Sequence, residues 1–120
     1  MPKFSIQGER KLKTCHSELQ RLFYKVVETT DCSILEGHRG QARQHQAYTT
    51  GASQLDWPHS KHNSDPSMAV DVAPYPIDWK DIKRFKEFGK IVQGVADSLG
   101  IKVRWGATFS FKDYPHWELI

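Results

Sequence analysis

The chain has 120 residues, 38% of them hydrophobic and 26% charged, which is enough for one packed core and excludes extensive disorder. Its 17 Lys and Arg against 14 Asp and Glu give a formal net charge of +3, a mildly basic balance that suits anionic partners without requiring nucleic acid. No apolar run is long enough to span a bilayer, and the first eight residues lack the apolar segment of a secretory signal, so we expect no stable membrane insertion and no signal peptide.

Hydrophobic periodicity and turn residues divide the chain into alternating helices and strands. The predicted helices are 9–29, 41–50 and 80–99. The predicted strands are 32–35, 68–73, 101–105 and 116–120. The polar segment 52–67, which holds two prolines, predicts a long loop. Because the strands are short and concentrated in the C-terminal half, we predict an α+β fold, a small single domain over residues 1–120 in which helices flank an antiparallel sheet.

Cysteine and tryptophan usage is informative in a chain this short. Cys15 and Cys32 are too few for a disulfide scaffold or for a zinc site of their own, and we expect buried thiols in a reducing compartment. The four tryptophans are many for the length. Some should lie in the core, but an aromatic ring beside a cleft could instead stack on a sugar or on a substrate side chain.

The clearest chemical signal is a carboxylate inside an apolar strand. Asp71 lies within the run 69–73, where an isolated charge is costly and needs a cation, a network of donors or a metal. His62 precedes this strand, and His116 begins the last one. Two imidazoles and one carboxylate form a suitable zinc site with a fourth position left for water. Asp113, three residues before His116, could then act as the general base.

Simpler interpretations stay open for each of these residues. Asp71 could form a structural ion pair, and a single histidine is more often a loop or core residue than a metal ligand. His59 is an alternative ligand that we expect to be a bystander. Arg39, directly after a predicted strand, could clamp a carboxylate or neutralise an oxyanion, or it could be an ordinary surface residue.

Four motifs in a fixed order give the chain a family resemblance. They are Gly37-His38-Arg39, Ser60-x-His62, Ala69-Val70-Asp71 and Asp113-x-x-His116-Trp117-Glu118-Leu119. In this order they resemble the zinc peptidases of the D-Ala-D-Ala carboxypeptidase and L-alanyl-D-glutamate endopeptidase family, and the small phage endolysin branch in particular. The chain departs from that pattern in two places, a longer segment between His62 and Asp71 and the sequence Trp105-Gly106-Ala107-Thr108-Phe109 where relatives have W-G-G-D-W.

The resemblance implies a Hedgehog/D-Ala-D-Ala peptidase-like fold and a set of site residues. Zinc would be held by His62, Asp71 and His116, with Asp113 as the catalytic base. Arg39 would contact the substrate or the oxyanion of the transition state. The implied activity is hydrolysis of the L-Ala–D-Glu bond of the peptidoglycan stem peptide by zinc-activated water, which would make the chain a zinc metallopeptidase.

The resemblance also implies supporting residues, partners and a location. Ser60 would support the metal-binding loop, and Glu118 would hydrogen-bond behind a metal ligand. The partner would be the peptidoglycan stem peptide, without nucleic acid, and the chain is expected to be a monomer. As a phage lysis enzyme it would be made in the host bacterial cytoplasm and would act on the cell wall or periplasm after release.

Two alternatives to the endopeptidase remain at this stage. One is a D,D-carboxypeptidase that removes a terminal D-Ala, which would need a clamp for a free carboxylate. The other is a non-catalytic zinc-bearing binding module, against which the presence of both Asp113 and Arg39 argues. A small basic nucleic-acid binder has only the net charge in its favour.

Overall fold

The structure is a computed structural model that describes residues 2–120. Its helices are α1 (Ile6–Leu12), α2 (Ser17–Val27), α3 (Gln41–Thr49) and α4 (Ile82–Leu99). Its strands are β1 (Cys32–Glu36), β2 (Ala69–Pro74), β3 (Val103–Trp105) and β4 (His116–Leu119). Two short 3-10 helices, Lys61–Asn63 and Gly106–Thr108, follow the long loop and β3. The strands form one antiparallel sheet in the order β1-β2-β4-β3, which confirms the predicted α+β class.

The prediction of one helix over 9–29 is wrong, because the chain breaks between α1 and α2. The backbone around Cys15 leaves the helix to pair with Ser67, whose N–H donates to the Thr14 carbonyl at 2.9 Å and whose carbonyl accepts from His16 at 2.8 Å. His16 then caps α2 by accepting the Glu18 N–H on its ring nitrogen. Apolar residues on both sides of the break still enter one core, so the periodicity continues although the helix does not.

The core lies between the sheet and the pair α2 and α4. Strand side chains alternate between the two faces of a sheet, so Val70 and Val72 of β2 and Trp117 of β4 point into this core and are fully buried. The Trp117 ring packs edge-on against Phe23 of α2 at 6.5 Å. The intervening residues of β2 and β4 therefore occupy the opposite face, which is where Asp71, His116 and Glu118 lie.

Both cysteines are buried and unpaired, as expected from the sequence. Burial raises the pKa of the Cys15 and Cys32 thiols to about 12, which keeps them protonated at neutral pH. No helix within residues 2–120 is long and apolar enough to cross a membrane.

Candidate metal centre

The three predicted metal ligands meet on the sheet face opposite the core. Asp71 and His116 are direct partners in the β2–β4 register, and His62 reaches them from the first 3-10 helix. Asp71 Oδ1 lies 3.2 Å from His62 Nε2 and 3.3 Å from His116 Nδ1. The ligand atoms of all three residues lie within 4.8 Å of one another, and residues 2–120 contain no other such group of His, Cys, Asp or Glu. The cluster can hold a metal ion.

The hydrogen bonds behind the two histidines test whether the cluster suits a metal. His62 Nδ1 lies 2.8 Å from the Gly37 carbonyl, which can only accept, so Nδ1 carries a hydrogen and Nε2 is the nitrogen that faces Asp71. His116 Nε2 lies 2.8 Å from Glu118 Oε1, which leaves Nδ1 facing the cluster in the same way. Metal-binding histidines characteristically donate their second N–H to a carbonyl or carboxylate, and both rings here meet that condition. The donor set fits a divalent ion such as zinc.

Close polar contacts link the three side chains of the cluster. Burial opposes ionisation of Asp71, but hydrogen bonds from His116 and His62 outweigh it and hold the pKa of the carboxyl well below its usual range. Burial likewise disfavours the charged form of His116, yet hydrogen bonds to Asp71 and Glu118 raise its pKa to about 9. A divalent ion bound among these atoms would replace the proton on Nδ1.

The long segment between His62 and Asp71 is fixed at both ends. Ser60 Oγ accepts the His62 N–H at 3.2 Å, and Asn63 Oδ1 accepts the Ser60 N–H at 3.0 Å, so the 3-10 helix is capped in both directions. At the far end the Met68 N–H donates to the Lys61 carbonyl at 3.0 Å. The extra residues thus form a closed loop, and the greater sequence distance does not separate the two ligands.

Arg39 is buried beside the cluster, with only 8% of its surface exposed. Its guanidinium donates to Glu36 Oε1 at 2.9 Å from Nε and to Gln44 Oε1 at 3.0 Å from Nη1. Nη2 lies 3.5 Å from Asp71 Oδ2, the oxygen that does not face the histidines. Arg39 therefore compensates the negative charge of the half-buried Asp71 carboxylate. The prediction that it contacts substrate or an oxyanion stays a prediction.

Glu36 and Gln44 belong to the surroundings of the site, and neither was predicted from the sequence. Glu36 pairs with Asp71 in the β1–β2 register and forms ion pairs with Arg39 and Arg43. Its position three residues before Arg39 was the sequence signal that could have predicted an ion pair between Glu36 and Arg39. Gln44 is fully buried on the same helix face as Ala47, but a polar side chain in a mostly polar helix gave no indication of a role at the site.

Asp113 stands at the edge of the cluster rather than within it. Its Oδ2 lies 3.9 Å from His116 Nδ1, and its side chain is 38% exposed. Burial, followed by the nearby charge of Asp71, raises the pKa of Asp113 above its usual range. The backbone holds it in place, because its N–H donates to the Gly106 carbonyl at 3.0 Å and its carbonyl accepts the His116 N–H at 3.1 Å. A side chain at Gly106 would collide with the Asp113 carbonyl, so the close approach requires glycine.

The structure separates three other histidines from the cluster. His59 borders the same cleft but contributes no ligand atom to the group, in line with its expected role as a bystander. His45 is exposed and pairs with Asp56 at 3.0 Å. His16 serves as the cap of α2.

The cluster lies in an open cleft of about 1410 Å³ whose two sides differ in chemistry. On the β1 side the cleft is lined by α1 and the start of α3, which contribute Arg10, Lys11 and Arg43. The other side carries aromatic rings. They are Trp79, Phe85, Phe109, Phe111 and Tyr114. A substrate lying across the metal ligands would touch both sides.

Comparison with known proteins gives consistent results. Residues 1–119 match the family described as phage L-alanyl-D-glutamate peptidase. The L-alanyl-D-glutamate peptidase of Escherichia phage T5 is 34% identical over 122 aligned positions, which cover 98% of this chain and 88% of the phage protein. The crystal structure of the Serratia marcescens L-Ala D-Glu endopeptidase ChiX superimposes with a TM-score of 0.83 at 28% identity, covering 98% of this chain and 90% of that one.

Proposed function

The chain belongs to the phage L-alanyl-D-glutamate peptidase family, and we propose that it hydrolyses the L-Ala–D-Glu bond of peptidoglycan stem peptides with one zinc ion held by His62, Asp71 and His116. The observation that carries the metal assignment is the pair of second-nitrogen hydrogen bonds, from His62 to Gly37 and from His116 to Glu118. They leave His62 Nε2 and His116 Nδ1, the nitrogens that would bind the metal, facing the same carboxylate oxygen.

Each side chain of the site has a distinct task in this reaction. Zinc bound by the three ligands would polarise the scissile carbonyl and lower the pKa of a bound water to near neutrality. Asp113, partly exposed at the cleft edge of the ligand cluster, accepts a proton from the attacking water at Oδ2 and delivers it to the departing amine of D-Glu. Its backbone hydrogen bonds to Gly106 and His116 keep the carboxylate within reach of the reacting atoms.

Arg39 adds positive charge beside the Asp71 carboxylate. Its guanidinium is committed to Glu36, Gln44 and Asp71, all within 3.5 Å. Because Arg39 also borders the cleft, the guanidinium adds positive charge near the position where the scissile carbonyl gains negative charge. The site of action is the bacterial cell wall, reached from the host cytoplasm where a phage enzyme is made.

Digestion of purified peptidoglycan by the zinc-loaded protein tests this function. Mass spectrometry should detect stem peptides that begin with D-Glu together with glycan strands that retain L-Ala. Release of free D-Ala with intact L-Ala–D-Glu bonds would instead identify a D,D-carboxypeptidase, and an absence of any hydrolysis would identify a binding module.

The variant Asp113→Ala separates catalysis from metal binding. It removes the proposed base without removing a ligand, so zinc should bind at one equivalent by elemental analysis while hydrolysis falls by about 10²–10⁴-fold. His116→Ala is the matched comparison, because it should lose both the metal and the activity. Hydrolysis at the normal rate by Asp113→Ala would exclude Asp113 as the base.

A further inference from the structure

Trp79 is an exposed ring held in a fixed orientation at the cleft. Its surface is 56% exposed, yet the indole stacks on the buried Phe85 with ring centroids 5.6 Å apart and planes only 19° from parallel. The turn that carries it is closed by the Asp78 carboxylate, which accepts the Lys80 N–H at 3.0 Å, and by the Asp78 carbonyl, which accepts the Asp81 N–H at 3.1 Å. One face of the indole is thus supported by protein, and its exposed surface borders the cleft.

A row of aromatic rings connects Trp79 to the segment that carries Asp113, the proposed base. Phe85 lies 6.3 Å from Tyr114, the residue that follows Asp113, and the Tyr114 carbonyl accepts the Trp105 indole N–H at 2.8 Å. The row therefore runs from the metal cluster outward along one side of the cleft. Phe85, which supports Trp79, therefore also contacts the residue next to the proposed base.

The sheet order puts charge and aromatic surface on opposite sides of the metal ligands. Asp71 and His116 lie on the two central strands. The cations Arg10, Lys11 and Arg43 border the cleft on the β1 side, whereas the aromatic row lies on the side of β4 and β3. Two further cations line the cleft: Lys112, whose Nζ donates to the Ala107 carbonyl at 3.2 Å, and Lys61, whose Nζ is paired with Glu118 of β4 at 3.3 Å.

The proposed substrate is divided in the same way about its scissile bond. On the C-terminal side, D-Glu and the following residues carry the free carboxylates of the stem peptide. On the N-terminal side, L-Ala is joined through a lactyl group to N-acetylmuramic acid, an uncharged sugar only a few bonds from the scissile carbonyl. Charge complementarity directs the carboxylates to the cationic side of the cleft and the sugar to the aromatic side.

We propose that the exposed indole of Trp79 stacks on the N-acetylmuramic acid ring of the substrate and so makes the enzyme prefer muramyl peptides over free stem peptides. This inference rests on the proposed function, because it takes the orientation of the substrate from the L-Ala–D-Glu bond. Sugar rings present a face of C–H groups that packs on an aromatic ring, and a rigid indole offers a large area at low entropic cost.

Two substrates that differ only in the sugar test this inference. They are the free peptide, with its α-amino group acetylated as N-acetyl-L-Ala-γ-D-Glu-meso-diaminopimelate, and the same peptide carrying N-acetylmuramic acid in place of the acetyl group, so that neither has a charged amino terminus. Trp79→Ala should lower kcat/KM for the muramyl peptide by about tenfold, mainly through KM, and should leave the free peptide within about twofold. Trp79→Phe, which keeps a smaller ring on Phe85, should have a kcat/KM for the muramyl peptide between those of the wild type and Trp79→Ala. Tyr75→Ala is the matched control, since Tyr75 is 57% exposed but does not border the cleft.

A binding measurement keeps this inference separate from the proposed function. Saturation-transfer NMR with N-acetylmuramyl-L-alanine should show transfer to the sugar protons with the zinc-loaded wild type and none with Trp79→Ala. An equal decrease in kcat/KM for both peptide substrates, or unchanged transfer to the sugar in the variant, would overturn the role of Trp79. If the variant abolishes transfer to the sugar but the wild type cuts neither peptide, the contact of Trp79 with the sugar stands, whereas the proposed function and the substrate preference derived from it are refuted.

Discussion

Removal of the Glu118 carboxylate should weaken metal binding without touching a ligand. Glu118 Oε1 accepts from His116 Nε2 at 2.8 Å, and the side chain is only 12% exposed. A hydrogen bond between a buried ring and a carboxylate is worth about 1.5–3 kcal/mol, and about 1.4 kcal/mol corresponds to a tenfold change in affinity. Glu118→Met, which leaves the ring without its orienting acceptor, should therefore weaken zinc binding by about 10- to 100-fold.

Glu118→Gln should have a smaller effect, because its amide oxygen can still accept from Nε2 and only the charge is removed. Competition with a chromophoric chelator measures the zinc Kd of each variant. Lys61→Met is the control, since Lys61 Nζ lies 3.3 Å from the other oxygen of Glu118 and its removal leaves the His116 contact intact. A zinc Kd for Glu118→Met within about twofold of wild type would refute the idea that this contact orients His116 for the metal.

Two further predictions concern the framework around the site. Gly89→Ala should destabilise the fold by about 1–3 kcal/mol, because the new Cβ would lie 2.5 Å from the Trp105 ring. Gly94→Ala in the same helix contacts nothing and should stabilise the fold by about 0.5–1 kcal/mol. Urea denaturation of both variants measures the difference, and equal effects would contradict the packing argument. Gln44→Met should cost about 1–3 kcal/mol in the same assay, because the buried Arg39 Nη1 loses its acceptor, and a neutral result would show that this contact is dispensable.

The elements that the sequence predicted well are those whose pattern is local. Helix α4 has an apolar stripe and ends at Gly100, which adopts the left-handed conformation with φ 70° that favours glycine. The break between α1 and α2 could not be predicted in this way. It depends on Cys15 pairing with Ser67, a residue far along the chain, and the apolar repeat passes through the break unchanged.

The residues of the candidate site also differ in how well a local sequence pattern predicts them. A carboxylate within an apolar strand is conspicuous in a sequence, and Asp71 was predicted as a site residue for that reason, together with His62 and His116. Gln44 has no such signal in the sequence, because a polar residue in a mostly polar helix is expected to be exposed. Its burial arises only when the loop that follows α3 folds back to supply Ser53 Oγ and the Leu55 carbonyl as acceptors. Residues that hold others in place are hidden from a sequence when their partners come from irregular segments.

Strand register ties the integrity of this site to that of the core. In β4, Trp117 enters the core while His116 and Glu118 face the cleft, and in β2 Val70 and Val72 alternate in the same way with Asp71. A slip of one residue in β4 would exchange the two faces, burying a histidine and a carboxylate while exposing a tryptophan. The free energy that buries Trp117 therefore also fixes His116 opposite Asp71, so the two proposed metal ligands on strands need no separate device to find their register.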